Sequence, residues 1–156
     1  MSSKKTGSLF ELCFEIASLK SDKYEKNVNE LKKLGRNLGV IFQIQDDILE
    51  LETDSENMGK GTFSDIERNK KTILTCYAME KNLSEWKKLI ESTNHENISS
   101  KKESIYDFFI ENNLKEESDK LLADYISQCN DIINELPEEI QGGLNELINY
   151  IIKRNK

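Results

Sequence analysis

Gln43, Asp46, Asp47 and Glu50 are spaced so that, at roughly 100° per residue, a helix would carry them in one narrow stripe. Leu38, Ile41, Phe42, Ile48 and Leu49 fall on the far side, and Val40, Ile44 and Leu51 fill one flank. Such a helix is apolar almost all round and is expected to be buried. Three carboxylates on a buried helix repel one another and desolvate badly unless something neutralises them. A divalent cation with oxygen ligands is the usual neutraliser. Downstream, Lys60 stands between Gly59 and Gly61, where bare backbone can approach an anion, and Lys70 lies beyond an expected loop. Magnesium prefers one or two carboxylates plus substrate phosphates. Acids on one wall and lysines on another therefore suit a magnesium–diphosphate site. The competing reading of Asp46, Asp47 and Glu50 is an ordinary solvated helix face.

The combination is more specific than its parts. Phe42-Gln43-Ile44-Gln45-Asp46-Asp47-Ile48-Leu49-Glu50, then Gly59-Lys60, Asp65-Ile66 and Asn69-Lys70, resemble the second aspartate-rich region of the trans-isoprenyl diphosphate synthases, the farnesyl and geranylgeranyl diphosphate synthases. The last acid of that motif is usually Asp; here Glu50 keeps the charge and lengthens the reach. Lys5-Thr6, followed by Gly7-Ser8-Leu9-Phe10, is similar to the family's mid-chain Lys-Thr pair, which opens a helix and contacts substrate diphosphate. Without the resemblance, Lys4, Lys5 and Thr6 read as a frayed start. An ammonium and a hydroxyl at a helix start are sensible diphosphate partners. The tail Tyr150-Ile151-Ile152-Lys153-Arg154 resembles the family's ending, so the resemblance covers essentially the whole chain, strongly over Met1–Tyr77 and weakly after Leu83.

The elements that must position these residues are helices. Leu9–Leu19 has Leu9, Leu12, Cys13, Ile16 and Ala17 on one face, and a second helix runs from about Lys23 to Glu52, with Asp22 a candidate cap. Gly35 and Gly39 lie inside it, each costing up to ~1 kcal/mol against Ala. They read either as close helix packing or as room for a prenyl chain or diphosphate. Thr53–Ser64 is a loop, Asp65–Lys81 a helix, Leu83–Ile90 a short helix and Ser92–Ser100 a linker. Lys101–Glu111 and Leu114–Leu136 follow, and Pro137 suits the first turn of a last helix in which Gly142-Gly143 is a candidate kink. The stripes after Leu83 read as core.

Composition narrows the class. The chain has 156 residues, enough for one core, and a single Pro with seven Gly argues against a turn-rich β protein. A net charge of −7 without a basic stripe argues against nucleic-acid binding. Cys13, Cys76 and Cys129 form no Cys-x-x-Cys pair and read as reduced, buried filler in a cytoplasmic protein. His95 lies in a polar stretch and reads as a loop residue. No apolar run approaches the ~18–20 residues of a membrane span, and no secretory signal is visible.

The resemblance implies an all-α helical bundle, the C-terminal half of the isoprenoid synthase fold. Residues 1–156 would form a single domain, with active-site helices over 1–81 and closing helices over 82–156. The implied activity is that of a prenyltransferase joining an allylic diphosphate to isopentenyl diphosphate, with Mg2+ as cofactor. Asp46, Asp47 and Glu50 would hold the metal, and Lys5, Thr6, Gln43, Lys60 and Lys70 the allylic diphosphate. Asp46, Lys60 and Lys70 would be catalytic, and Asp65 would orient Lys60 or the metal's waters. The family's enzymes are about twice this long. Their first aspartate-rich motif and following Arg pair have no counterpart here, where Arg36, Arg68 and Arg154 stand apart. The expectation is one subunit of a split synthase, inactive alone, whose partner carries the missing half in a heterotetramer with two copies of each. A truncated fragment, or a non-catalytic helical subunit modulating a complete synthase, is the alternative. The Leu38–Leu51 helix is expected to leave apolar surface exposed in the isolated chain.

Overall fold

The computed structural model describes residues 2–52, 66, 70–92 and 98–153. Among them there is no strand. The elements are α1 (Ser2–Leu19), a 3-10 turn (Glu25–Asn27), α2 (Val28–Glu52), α3 (Ile73–Glu91), α4 (Ile98–Glu111), α5 (Leu114–Asn134) and α6 (Glu138–Ile152). The chain divides into two compact units, Met1–Gln45 with Leu121–Lys156, and Asp46–Lys120.

In the first unit α1 and α2 meet antiparallel through small residues. A Cβ on Gly39 would stand 2.5 Å from the Gly7 Cα, and one on Gly35 would stand 2.8 Å from the Phe10 carbonyl oxygen. Close packing is therefore what these two glycines do, and it offsets their poor helix propensity. Ion pairs flank the seam. Arg36 grips Glu11 with both Nε and Nη2, at 2.9 and 2.7 Å, and Lys32 reaches Glu15 at 2.8 Å. The expected apolar face of α1 is not the buried one. Leu9, Leu12, Ile16 and Leu19 are exposed, whereas Gly7 and Ser18 are buried. On α2, by contrast, Leu38, Val40, Ile41, Ile44 and Ile48 are all buried. Among the described residues, Phe42 and Leu49 of α2 are partly buried, and the open apolar row lies on α1. Asp22 caps nothing: the residue at the head of the 3-10 turn is Tyr24, without a side-chain cap. The turn is held instead by Glu139 in the first turn of α6, which accepts from Tyr24 Oη at 2.8 Å and from Lys23 Nζ.

In the second unit Ile66 is helical, residues 70–72 are not, and α3 starts at Ile73, so the helix expected over Asp65–Lys81 is interrupted before Ile73. Thr72 is extended (φ −82°, ψ 172°), and its side chain accepts from the Thr75 N–H, so the helix is capped there. The expected break before Leu83 is present as a kink at Asn82 (φ −149°, ψ 76°), whose Oδ1 accepts the Glu85 N–H at 3.3 Å and restarts the helix. Around Trp86 gather Leu74, Ala78, Ile105, Phe108, Phe109, Leu114 and Ile66. The Trp86 ring lies 5.4 and 5.6 Å from the centroids of Phe108 and Phe109. Pairs at this separation add about 1 kcal/mol beyond their burial. Asn113, at φ 53°, turns the chain from α4 into α5, the left-handed position that Asn tolerates.

Helix α6 runs through Gly142 and Gly143 as one element. Only Cys129 fits the filler expectation, and burial pushes its thiol up to about 12. Cys13 and Cys76 are exposed, because they sit on faces of α1 and α3 that nothing covers. His95 lies outside the described residues.

Candidate functional site

Two clusters hold those expected site residues that the structure describes. The first is in the Met1–Gln45 unit. Lys5 and Thr6 lie in α1 past its first residues rather than at its mouth, since α1 begins at Ser2. The contact of Gly7 with Gly39 brings α1 close enough to α2 for the Thr6 hydroxyl to donate to Gln43 Oε1 at 3.3 Å. Residues 37 apart in sequence are thus side by side. Phe10 and Phe42, with centroids 6.0 Å apart, fill the space next to them. Of the Lys5 side chain the structure describes nothing.

The second cluster is in the Asp46–Lys120 unit. Asp46 is half-buried and Asp47 is 2% exposed. Asp47 Oδ2 accepts the backbone N–H of Ile73 at 2.8 Å, the first residue of α3. A carboxylate beside the unpaired N–H groups and positive end of a helix is stabilised as the anion. The same bond ties the acid end of α2 to the segment that carries Lys70. That segment is pinned again by Thr75, which is 3% exposed. Its hydroxyl oxygen accepts the Thr72 N–H at 2.9 Å and lies 3.1 Å from the Lys70 carbonyl oxygen, to which it can donate. Lys70 itself is exposed.

Lys60 and Asp65 lie outside the described residues, as does the side chain of Glu50. Among the described residues no three His, Cys, Asp or Glu side chains come together in a metal-holding group. Asp46 and Asp47 differ in kind: one is a half-exposed carboxylate, the other is sunk and engaged by backbone. Thr72 and Thr75 are residues to which the sequence reading gave no role. A Thr-x-x-Thr ahead of an apolar run was the available signal, being close to the capping-box pattern.

With this geometry in view, comparison with known proteins is informative. A family profile described as "Polyprenyl synthetase" matches residues 1–109. The short chain isoprenyl diphosphate synthase of Methanocaldococcus jannaschii is 40% identical over 97 residues, 61% of this chain and 29% of that protein. The geranylfarnesyl diphosphate synthase of Aeropyrum pernix is 30% identical over 156 residues, 97% of this chain and 48% of that protein. Among solved structures, the geranylgeranyl pyrophosphate synthetase of Pyrococcus horikoshii Ot3 superposes with a TM-score of 0.86 at 28% identity. That match covers 99% of this chain and 48% of the other. The chain spans about half the length, or less, of the relatives it matches.

Proposed function

The chain belongs to the polyprenyl synthetase family and has the all-α isoprenoid synthase fold; on that premise we propose that it is the C-terminal, diphosphate-holding part of a split prenyltransferase. The reaction condenses an allylic diphosphate with isopentenyl diphosphate to a farnesyl- or geranylgeranyl-class product. The carbon–oxygen bond of the allylic ester ionises, the alkene of the second substrate attacks the allylic cation, and the proton lost passes to the released diphosphate. The observation that carries this reading is the Asp46-Asp47 pair on a buried helix, with the Asp47–Ile73 bond fixing the approach to Lys70.

The donor chemistry suits magnesium, which takes one or two carboxylates plus phosphate oxygens. Asp46, half-buried, is the foremost ligand. Asp47 has Oδ2 committed to Ile73, so it would contribute through its other oxygen or through water, with Glu50 one turn on. Bound there, Mg2+ supplies Lewis-acid stabilisation of the leaving diphosphate. Lys70 and Lys60 place positive charge where negative charge develops as the ester ionises. Lys5, Thr6 and Gln43 are assigned to the allylic diphosphate, and the Thr6–Gln43 hydrogen bond supports giving that pair one task. Asp65 orients Lys60 or the metal's waters.

In this reading a partner polypeptide supplies the residues for the second substrate, and the active species is an assembly. The partner polypeptide carries the first aspartate-rich motif and an Arg pair, in a heterotetramer of two copies of each. The exposed apolar row Leu9, Leu12, Ile16 and Leu19 supports a partner, since interaction sites look like this. Among the described residues no helix is long and apolar enough to cross a membrane, and we place the assembly in the cytoplasm. The test is to purify this chain and a polypeptide with the first motif separately. Each alone and the mixture are then assayed with magnesium, an allylic diphosphate and radiolabelled isopentenyl diphosphate. Label should enter an extended product only in the mixture. Product from this chain alone, or none from a mixture of folded partners, overturns the split-enzyme reading.

A further inference from the structure

We propose that Thr75 is the positioning residue for Lys70, setting where its ammonium meets the diphosphate; this rests on the diphosphate reading above. The side chain is buried, with 3% exposed, yet polar, so its hydroxyl needs partners. It finds them on the stretch that leads from Lys70 into α3. The oxygen accepts the Thr72 N–H at 2.9 Å, and the proton can go to the Lys70 carbonyl at 3.1 Å or the Thr72 carbonyl at 3.2 Å. Asp47 holds the next backbone group, the Ile73 N–H, at 2.8 Å. Between residues 70 and 73, three backbone polar groups, the Lys70 carbonyl, the Thr72 N–H and the Ile73 N–H, are therefore within reach of two buried side chains. A lysine has a four-carbon stem and wide rotamer freedom, so the reach of its ammonium is defined only as well as the backbone under it. Fixing that backbone before ligand arrives lowers the ordering cost of binding.

The Thr75 hydroxyl also supplies the reciprocal half of the capping box by accepting the Thr72 N–H, so it serves the helix start and Lys70 together. The Thr75 N–H bonds to the Thr72 hydroxyl at 3.2 Å, and that bond does not use the Thr75 hydroxyl. Thr75→Val keeps the shape and the Thr72 side of the capping box but removes the reciprocal bond to the Thr72 N–H together with the hold on Lys70. Thr75→Ser restores the hydroxyl, and Thr75→Ala replaces the Val variant if circular dichroism shows that the latter does not fold.

The experiment is a calorimetric titration of the full chain with methylenediphosphonate at fixed magnesium. The wild type, Thr75→Val, Thr75→Ser, Lys70→Ala and Thr75→Val/Lys70→Ala proteins are compared. Thr75→Val should weaken binding roughly two- to tenfold, the span of one net hydrogen bond, and Thr75→Ser should return it close to wild type. In the Lys70→Ala background, Thr75→Val should change nothing further. Equal weakening in both backgrounds, or wild-type binding by Thr75→Val, overturns the positioning role while leaving the diphosphate site standing. A wild-type chain that binds no methylenediphosphonate overturns the diphosphate site and this role with it.

Discussion

Helices α1 and α2 are neighbours, and both carry apolar rows at helical spacing, yet they treat them in opposite ways. On α2 the row is sunk: Leu38 and Ile41 are fully buried and Ile44 is 2% exposed. On α1 it is open: Leu9 is 62% exposed and Leu19 is 59%. What α1 gives to α2 is its small and charged side, with Gly7 against Gly39, Glu11 against Arg36 and Glu15 against Lys32. Periodicity thus says that a helix has two faces. It does not say which face the rest of the chain will cover.

The contrast is broken most severely by truncating a buried residue of α2. Ile41→Ala should cost about 2–5 kcal/mol in urea unfolding, because the removed atoms leave a cavity that the surroundings only partly fill. Next comes the seam itself. Gly39→Ala puts a methyl 2.5 Å from backbone, where no flexible side chain can yield. The helices must part, at about 1–3 kcal/mol, and the Thr6–Gln43 hydrogen bond should be lost with them, read as a change in the side-chain amide resonance of Gln43. Urea unfolding that leaves Gly39→Ala as stable as wild type would mean that the glycine contact is not what brings α1 to α2.

The cysteines sharpen the same contrast chemically. Cys13 on α1 and Cys76 on α3 are exposed and should react with iodoacetamide in the native state, while Cys129 should react only on unfolding. Burial raises the Cys129 thiol to about 12 from an ordinary 9. A folded-state pKa above the unfolded one means that the unfolded chain ionises first. Stability contributed by this thiol is therefore whole below about pH 9 and is lost as pH rises toward about 12. A Cys129→Ala chain should lack that part of the alkaline slope, and an unchanged slope would show that the thiol is not the cause. The smallest effect belongs to the open row. Leu12→Ala should shift the stability of the isolated chain by no more than about 0.5 kcal/mol. A loss as large as that of Ile41→Ala would mean that the row is covered after all.

Much of this architecture was legible beforehand because it is local. The long α2 follows from the apolar surround of Leu38–Leu51. The acid pair, the lysines and the Lys-Thr pair follow from the motif. What was hidden depends on residues far apart. The covered side of α1 could not be read, because its contacts run through glycine and ion pairs that hydrophobic patterning does not weigh. The helix expected over Asp65–Lys81 is interrupted at residues 70–72, where Thr72 turns its hydroxyl to the Thr75 N–H and α3 starts afresh at Ile73. Spacing and the motif group Asp47 with Asp46 and Glu50. Its bond to Ile73, 26 residues on, becomes visible only once the chain has folded back.

The central claim is that the acid end of α2 holds magnesium against a diphosphate. The direct measurement is the melting temperature of the purified chain with and without magnesium plus methylenediphosphonate, for wild type and for Asp46→Ala. The Asp46→Ala chain should fold, since Asp46 is only half-buried and alanine suits a helix interior. At about a hundred times Kd, the wild-type melting temperature should rise by roughly 5–10 °C. Asp46→Ala should rise little or not at all. No rise in the wild type, or an equal rise in both proteins, contradicts the claim.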